Sequence, residues 1–514
     1  MPRRRHAALL LPLVVMTALS ACSAGPSIRP VIAVRGDSGP PSAAAPSGTQ
    51  PVPGLEEIKG SLNWTECTDP TMLRMGSTAP QTSMTFQCAR FASVLDAPSR
   101  PGRGTISISV LKAGTGKNPL VVLSDADGEP GTLKAARLAA SLPPELLTTF
   151  SLIGVDRRGT GKSDGVQCVP SSARLDIVEF DPANTDNAPL RSAITTASQE
   201  CVLDLENRLT AMDSWRAAAD LDKLRDLLGI STLNALGVGD GAKVLTLYAS
   251  RYPTRIGRMV FDGAPDPTLD AIGAAEAKAV AAEATFDAFA KDCIARNCAL
   301  GATPKAELVA LLDKVRTSPG RSLGLSLTPG TTVQAVLLGL ADRSRWPALA
   351  DALVAAKSGD STGLTSLVEP LVADVNENPP RLDATLVTGC NDTAMRIPPD
   401  RVTVLTKDWR DKHPLFGAFY AHRLLLCASF PVPTPLKVPP LVGAPPMLVL
   451  STATDPVTPQ QGTERAAGAL PAGVVVGWQG GGHGALGLSQ CATTAAADFL
   501  INAKVPANGT VCPP

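Results

Sequence analysis

Residues Leu233 to Val244 read LNALGVGDGAKV and combine three local signals. The run Leu233 to Leu236 is apolar and predicts a buried strand, and the stretch that starts at Ala242 predicts a helix. Between them, glycines alternate with Val238 and Asp240, which is typical of a turn in which the backbone passes close to its neighbours. The segment therefore predicts a strand, a sharp turn and a helix, with Gly239 at the apex of the turn.

Strand-like and helix-like segments alternate on both sides of this turn, and most of the strand-like runs are continuously apolar. Strands that are buried on both faces have this pattern, and helices between them are typical of a mostly parallel α/β sheet. The predicted strands are Thr105 to Leu111, Pro119 to Ser124, Ser151 to Val155, Leu233 to Leu236, Met259 to Phe261, Met447 to Ser451 and Val474 to Trp478. The predicted helices between them include Ser214 to Leu228 and Ala242 to Tyr252.

The alternation stops between about Pro267 and Thr388, where alanine-rich helical stretches follow one another without strands. We interpret residues 267–388 as a helical insertion that covers the ends of the strands as a lid. Residues 55–266 and 389–514 then form the two parts of the α/β core.

The N-terminus has the pattern of an export signal. Arg3, Arg4 and Arg5 precede the apolar run Ala7 to Ala21, which is too short to span a bilayer. Leu19-Ser20-Ala21-Cys22 resembles the lipobox of bacterial lipoproteins, in which the cysteine receives the lipid. We therefore expect a signal peptide at 1–21, a Pro/Ser/Ala-rich tether at 22–54 and a lipid anchor on the extracytoplasmic face. The alternative is an ordinary signal peptide with a chance cysteine at position 22.

Charge and cysteine content limit the partners. Lys plus Arg and Asp plus Glu both number 47, so nothing predicts nucleic-acid binding. Cys22 aside, the chain has ten cysteines, an even number that predicts disulfides in an exported protein and leaves the pairing open. No CxxC pair or cysteine–histidine cluster with zinc spacing occurs, and we expect neither a metal nor a cofactor. The ten cysteines are Cys67, Cys88, Cys168, Cys201, Cys293, Cys298, Cys390, Cys427, Cys491 and Cys512.

Two later segments carry side chains suited to acid–base chemistry. Asp455 begins Asp-Pro-Val-Thr-Pro directly after the strand MLVLS, and His483 lies in GGGHGALG after the strand VVVGW. In a catalytic triad the carboxylate holds the imidazole in one tautomer, and the imidazole takes a proton from the nucleophile. The order along the chain, Gly239, then Asp455, then His483, is that of nucleophile, acid and base in the α/β-hydrolases.

Taken together, these segments resemble the secreted tripeptidyl aminopeptidase-like branch of the α/β-hydrolases, which are serine peptidases that remove short pieces from peptide N-termini. The resemblance runs from about Trp64 to Cys512 and includes the Asp156 to Ser163 turn (DRRGTGKS) and the Asp262 to Pro267 turn (DGAPDP). It implies an α/β-hydrolase fold with a helical lid. It also implies disulfides between sequential neighbours, from Cys67 with Cys88 through to Cys491 with Cys512.

The chain departs from this family at two places. Gly239 stands where the family has the nucleophilic serine, so acyl-enzyme chemistry at that position is impossible. The loop that helps to hold the oxyanion in the family ends Gly-Gly-Pro-Gly, whereas here Gly128 is followed by Glu129. The second oxyanion donor would be the N–H of Asp240. We therefore expect the carboxylates of Glu129 and Asp240 to flank the oxyanion position and to oppose hydrolysis.

These departures predict a pseudoenzyme or a much weakened hydrolase that binds short peptides or envelope-derived fragments. Two routes to an active hydrolase stay open. Asp240 could act as the nucleophile in a shifted elbow, or Asp455 and His483 could activate water without a nucleophile.

Overall fold

The computed structural model of the chain describes residues 50–76, 84–125 and 129–514. The predicted signal peptide, Cys22, most of the predicted tether and Gly128 lie outside these residues. Among the described residues, no helix is both long and apolar enough to cross a membrane.

Among the described residues, ten strands form one sheet, in the order β1-β2-β3-β5-β4-β6-β7-β10-β11-β12, and two more form a small hairpin. The strands are β1 (Thr65–Glu66), β2 (Phe86–Val94), β3 (Thr105–Ala113), β4 (Asn118–Leu123), β5 (Phe150–Val155), β6 (Leu233–Val238), β7 (Ile256–Asp262), β8 (Gly320–Ser322), β9 (Leu325–Leu327), β10 (Met447–Thr454), β11 (Gly473–Gly481) and β12 (Thr510–Cys512). Pairing is antiparallel from β1 to β5 and parallel from β5 through β4 to β12.

The helices are α1 (Thr68–Met75), α2 (Gly131–Ser141), α3 (Pro144–Thr149), α4 (Ser171–Glu179), α5 (Ala188–Leu205), α6 (Ser214–Leu228), α7 (Asp240–Arg251), α8 (Ala271–Ala295), α9 (Pro304–Thr317), α10 (Pro329–Leu340), α11 (Trp346–Lys357), α12 (Thr362–Val372), α13 (Arg381–Asn391), α14 (Pro399–Lys412), α15 (Gly417–Arg423), α16 (Gln460–Ala469) and α17 (Gln490–Asn502). Helices α2 and α17 pack on one face of the sheet, while α6, α7 and α16 pack on the other. All residues of β5, β6 and β7 are buried, because both faces are covered.

This architecture confirms the predicted α/β-hydrolase fold with a mostly parallel central sheet. Each predicted strand is present, generally extended by one to three residues at an end. The strand β2 has no counterpart in the prediction. Its residues alternate between buried and exposed positions near the edge of the sheet, so its sequence is less apolar than that of the central strands.

The helical insertion extends beyond the predicted boundary at residue 388. Helices α8 to α15 all lie between β7 and β10, so helical structure continues to Arg423. The insertion also contains the hairpin β8–β9, although the sequence predicts no strands there. Strands of three residues are too short to give a periodic signal, which explains why they were not expected.

Five disulfides join sequential neighbours, as the family resemblance implies. They link Cys67 to Cys88, Cys168 to Cys201, Cys293 to Cys298, Cys390 to Cys427, and Cys491 to Cys512. The bond from Cys390 ties the end of α13 to the segment after α15, within the helical insertion.

Candidate active site

The turn between β6 and α7 has the geometry of an elbow. Strand β6 ends at Val238 and helix α7 begins at Asp240, so one residue, Gly239, reverses the chain. Its φ of 54° and ψ of −121° lie in a region that L side chains adopt only with strain. A Cβ on Gly241 would lie 2.7 Å from the carbonyl oxygen of Leu123, so the helix also needs a glycine to pack against β4.

Asp455 and His483 come together at the same edge of the sheet. Asp455 directly follows β10, and His483 follows β11. The imidazole Nδ1–H donates to the Asp455 carboxylate at 2.9 Å, and the Asp455 oxygens also accept hydrogen bonds from Val457 N–H and the Thr458 hydroxyl. The acid and base that the sequence predicts are therefore in contact, and the carboxylate is fixed by its own turn.

The carboxylate of Asp125, the second residue after β4, occupies the place that a nucleophile on residue 239 would take. A Cβ built on Gly239 would lie 1.8 Å from Asp125 Oδ1 and 2.7 Å from Oδ2. Oδ1 accepts a hydrogen bond from Asp240 N–H at 2.8 Å, and Oδ2 accepts one from His483 Nε2–H at 2.9 Å. The base and the backbone donor that would serve a serine are thus both bound to a carboxylate of the chain itself.

The imidazole of His483 is held as a cation between Asp125 and Asp455. Ionised carboxylates only accept hydrogen bonds, so both ring nitrogens must carry a proton. Burial by itself lowers the pKa of His483, but the charges of Asp455 and Asp125 and their hydrogen bonds raise it well above 6.5. Burial raises the pKa of Asp125, whereas the positive charge of His483 and the hydrogen bonds outweigh it and hold the pKa below its usual value. Asp125 and His483 therefore form an ion pair at neutral pH.

The two carboxylates predicted to flank the oxyanion position, Glu129 and Asp240, each have a cation nearby in the structure. The Glu129 carboxylate forms an ion pair with Arg137 on α2, which offsets its charge. Asp240 offers its N–H to Asp125, and the negative charge of its side chain acts on Lys243. Among the described contacts, none joins the Asp240 carboxylate to His483. These cations, Arg137 and Lys243, lie one turn or two along the helices α2 and α7 and offset the charges on which the prediction depends.

A second carboxylate supports the loop that carries His483. Asp262, the last residue of β7, accepts hydrogen bonds from the backbone N–H groups of Ala485 and Leu486 at 2.8 and 3.0 Å. Burial raises the pKa of Asp262. From the lid side, the carbonyl oxygen of Ala341 accepts a hydrogen bond from His483 N–H at 2.7 Å. Core and lid together therefore fix the position of the imidazole.

A cavity of about 550 Å³ opens beside Asp125 and His483, between the core and the lid. Apolar residues such as Leu138 and Leu488 line part of its wall. Serines and charged residues also line the wall, and the charged ones are Asp125, Glu129, Lys134, Arg137, Asp262, Asp342, Arg345 and His483. Within the described part of the chain, no group of three or more His, Cys, Asp or Glu side chains is placed to hold a metal ion. The arrangement offers a mixed-charge binding space next to an imidazolium–carboxylate pair.

Sequence reasoning missed Asp125 as a site residue. The available signal was its position, since it follows the strand next to β6 and so emerges at the same sheet edge as the elbow. An acidic residue there, together with a glycine in the nucleophile position, could have indicated that one side chain had replaced the other in space.

The chain is similar to one family model and to several known proteins. Residues 413–512 match the family model of the TAP-like proteins. The chain is 28% identical over 465 residues to serine protease Hip1 of Mycobacterium tuberculosis, and this alignment covers 83% of this chain and 87% of that protein. It is 27% identical over 385 residues to tripeptidyl aminopeptidase of Streptomyces lividans, covering 71% of each. Carboxylesterase B of M. tuberculosis is 27% identical over 511 residues, covering 92% and 95%.

Proposed function

Because this chain belongs to the TAP-like family of α/β-hydrolases, homologous to tripeptidyl aminopeptidases and to serine protease Hip1, we propose that it keeps the binding cavity of the family without its serine acyl transfer. The ligands in this proposal are short peptides or envelope-derived fragments. Peptides carry both charges and apolar side chains, and the cavity has charged and apolar walls.

The position of the Asp125 carboxylate is the observation that carries this proposal. An acyl enzyme needs a nucleophile, a free base and an oxyanion donor. Gly239 supplies no nucleophile, and Asp125 binds both His483 Nε2 and Asp240 N–H. All three requirements are therefore unmet at one point of the structure.

The two alternative hydrolytic routes have less support. A base that activates water must be unprotonated, whereas His483 is held as a cation between two carboxylates. An attack by Asp240 would need its carboxylate beside the imidazole, and its side-chain charge acts on Lys243 instead.

The location of the protein in this proposal is the cell envelope. Cys22 would carry a lipid and hold the folded part on the extracytoplasmic face, through a tether of about thirty residues. Five disulfides in the folded part are consistent with an oxidising compartment.

The test combines labelling and binding. Wild-type protein should not react with a fluorophosphonate probe and should not cleave tripeptidyl fluorogenic substrates, but it should bind a library of tripeptides in a calorimetric or fluorescence assay. Arg345→Ala removes a cation from the lid wall of the cavity and should weaken the binding of tripeptides. Lys504→Ala is the control, because Lys504 forms an exposed ion pair with Asp498 and does not line the cavity, so this variant should bind as wild type does. Substrate turnover that disappears in His483→Ala would refute the proposal.

A further inference from the structure

Residues 431–442 (PVPTPLKVPPLV) form an exposed apolar stretch that leads from the helical insertion toward β10, and we call them the apolar segment. The segment forms neither helix nor strand, and ten of its twelve residues are exposed. Its exposed large apolar side chains are Val432, Leu436, Val438 and Val442, with 61%, 44%, 47% and 76% of their surface in solvent. Exposed apolar side chains that follow one another so closely indicate an interaction surface.

The chain that comes from the predicted lipid site joins the described fold beside the apolar segment. Gln50 Nε2–H donates a hydrogen bond to the carbonyl oxygen of Gly443, the residue after the segment, at 2.9 Å. The carbonyl oxygen of Pro53 accepts a hydrogen bond from Arg258 Nε–H at 2.9 Å, which fixes the chain to the core. Cys22 lies 28 residues before Gln50 in the sequence. A lipid on Cys22 therefore holds the protein from a point in contact with the end of the apolar segment.

We propose that the apolar segment lies on the membrane that holds the Cys22 lipid, with its valine and leucine side chains among the lipid headgroups. The inference rests on the lipid anchoring proposed above. Twenty-eight residues reach no further than about 100 Å when fully extended, so the anchor confines the segment near the bilayer and raises its effective concentration there. Lys437, exposed within the segment, adds a positive charge that anionic headgroups attract.

The backbone of the segment favours a lipid surface over a second polypeptide. Five of the ten residues 431–440 are proline, which has no N–H to leave unpaired in an apolar medium. Pro431, Pro433 and Pro435 alternate, so one edge of this stretch has no donors for a β-ladder. A partner chain therefore gains few backbone hydrogen bonds there, whereas lipid requires none.

This contact places the cavity on the side away from the bilayer. Gly443 lies just before β10, and Asp455 directly follows the carboxyl end of the same strand. The eight residues of β10 span about 23 Å along the strand. The Asp125–His483 pair therefore lies at the opposite edge of the sheet from Gly443, and ligands reach the cavity from the aqueous phase.

The test measures vesicle binding without the lipid anchor. We would use the exported full chain with Cys22→Ala and vesicles of phosphatidylcholine, with or without phosphatidylglycerol, and measure the bound fraction by flotation. We expect binding that increases with phosphatidylglycerol. Adding Val438→Asp and Val442→Asp should lower the partition coefficient at least about tenfold, because two apolar side chains are lost and two negative charges gained. Both positions are exposed and outside helices and strands, so thermal unfolding should be unchanged.

The matched control is Val280→Asp with Val404→Asp in the same Cys22→Ala chain. These valines are also exposed, but they lie on α8 and α14 of the helical insertion, so this variant should bind vesicles as its parent does. Equal binding by the segment variant and its parent would overturn the inference. Absence of vesicle binding would also overturn it and would leave the proline-rich stretch to a protein partner. Mass spectrometry of the wild-type N-terminus decides the lipid on Cys22 separately, so the two proposals can fail independently.

Discussion

Restoring the serine at position 239 should succeed only if Asp125 is removed with it. From sequence alone, Glu129 is the residue to change together with Gly239, because it replaces a glycine of the oxyanion loop. In the structure Glu129 is paired with Arg137, and the group in the way is Asp125. We therefore expect Gly239→Ser to be harmful and inactive, and Gly239→Ser with Asp125→Ala to form an acyl enzyme.

The size of the effect follows from the geometry. Cβ contacts under 3.0 Å are essentially never seen, so a Cβ at 1.8 Å from Oδ1 requires Asp125 to move by at least 1.2 Å, the difference between these distances. That movement gives up two hydrogen bonds between charged or partly charged groups, about 1.5 to 3 kcal/mol each. The strained backbone at residue 239 adds about 1 to 3 kcal/mol. The free energy of unfolding should fall by at least about 4 kcal/mol in Gly239→Ser.

The assay is fluorophosphonate labelling, together with urea unfolding of each variant. The double variant frees Asp240 N–H, and such a donor is worth about a hundredfold to a thousandfold in rate. It should therefore label at least about a hundred times faster than Gly239→Ser alone. Gly239→Ser with Glu129→Gly is the control and should gain little. A folded double variant that does not label would refute the conclusion that Asp125 stands in the place of the nucleophile.

Three further predictions concern the charge pair, a disulfide and the anchor. His483→Ala leaves two buried carboxylates without their cation and should lower the free energy of unfolding at neutral pH by about 3 to 5 kcal/mol in urea titrations. The pKa of His483 is raised in the folded state, so the histidine stabilises the wild-type fold. This contribution to the free energy of unfolding is complete below the unfolded pKa near 6.5 and should be lost as pH rises through the higher folded value. The variant His483→Ala should not show this pH dependence. Replacing Cys390 and Cys427 by serine opens a loop with a sequence separation of 37 and should cost about 4 kcal/mol by the chain-entropy relation, measured by thermal unfolding. Cys22→Ala should release the exported chain from the membrane fraction; equal retention of this variant would contradict lipid anchoring at Cys22.

Removing Asp125 alone tests the charge pair with His483. Asp125→Ala takes away the partner of His483 Nε2, so the pKa of His483 should fall, and NMR titration of the imidazole would measure this change. An unchanged pKa would show that Asp125 does not contribute to the charge of His483.

Local pattern was sufficient for the fold class and for three residues of the candidate site. Continuous apolar runs identify the central strands, because strands covered on both faces need apolar side chains at every position. Asp455 and His483 directly follow two of these strands, and residues after neighbouring parallel strands meet at one sheet edge. Gly239 is visible in the sequence because the glycines around it allow a strand to turn directly into a helix.

The tertiary structure alone decided what replaces the missing nucleophile. Asp125 is 114 residues from Gly239 and 358 from His483 in sequence, and no periodic pattern links them. The neighbouring positions of β4 and β6 in the sheet bring the Asp125 carboxylate to the elbow, where the absent side chain of Gly239 leaves room for it. Likewise, the charges of Glu129 and Asp240 depend on Arg137 and Lys243, which only the packing of α2 and α7 places beside them. Sequence determined the central strands and the residues that follow them. Side-chain direction at the sheet edge determined which charges meet, because that direction is set by contacts between distant parts of the chain.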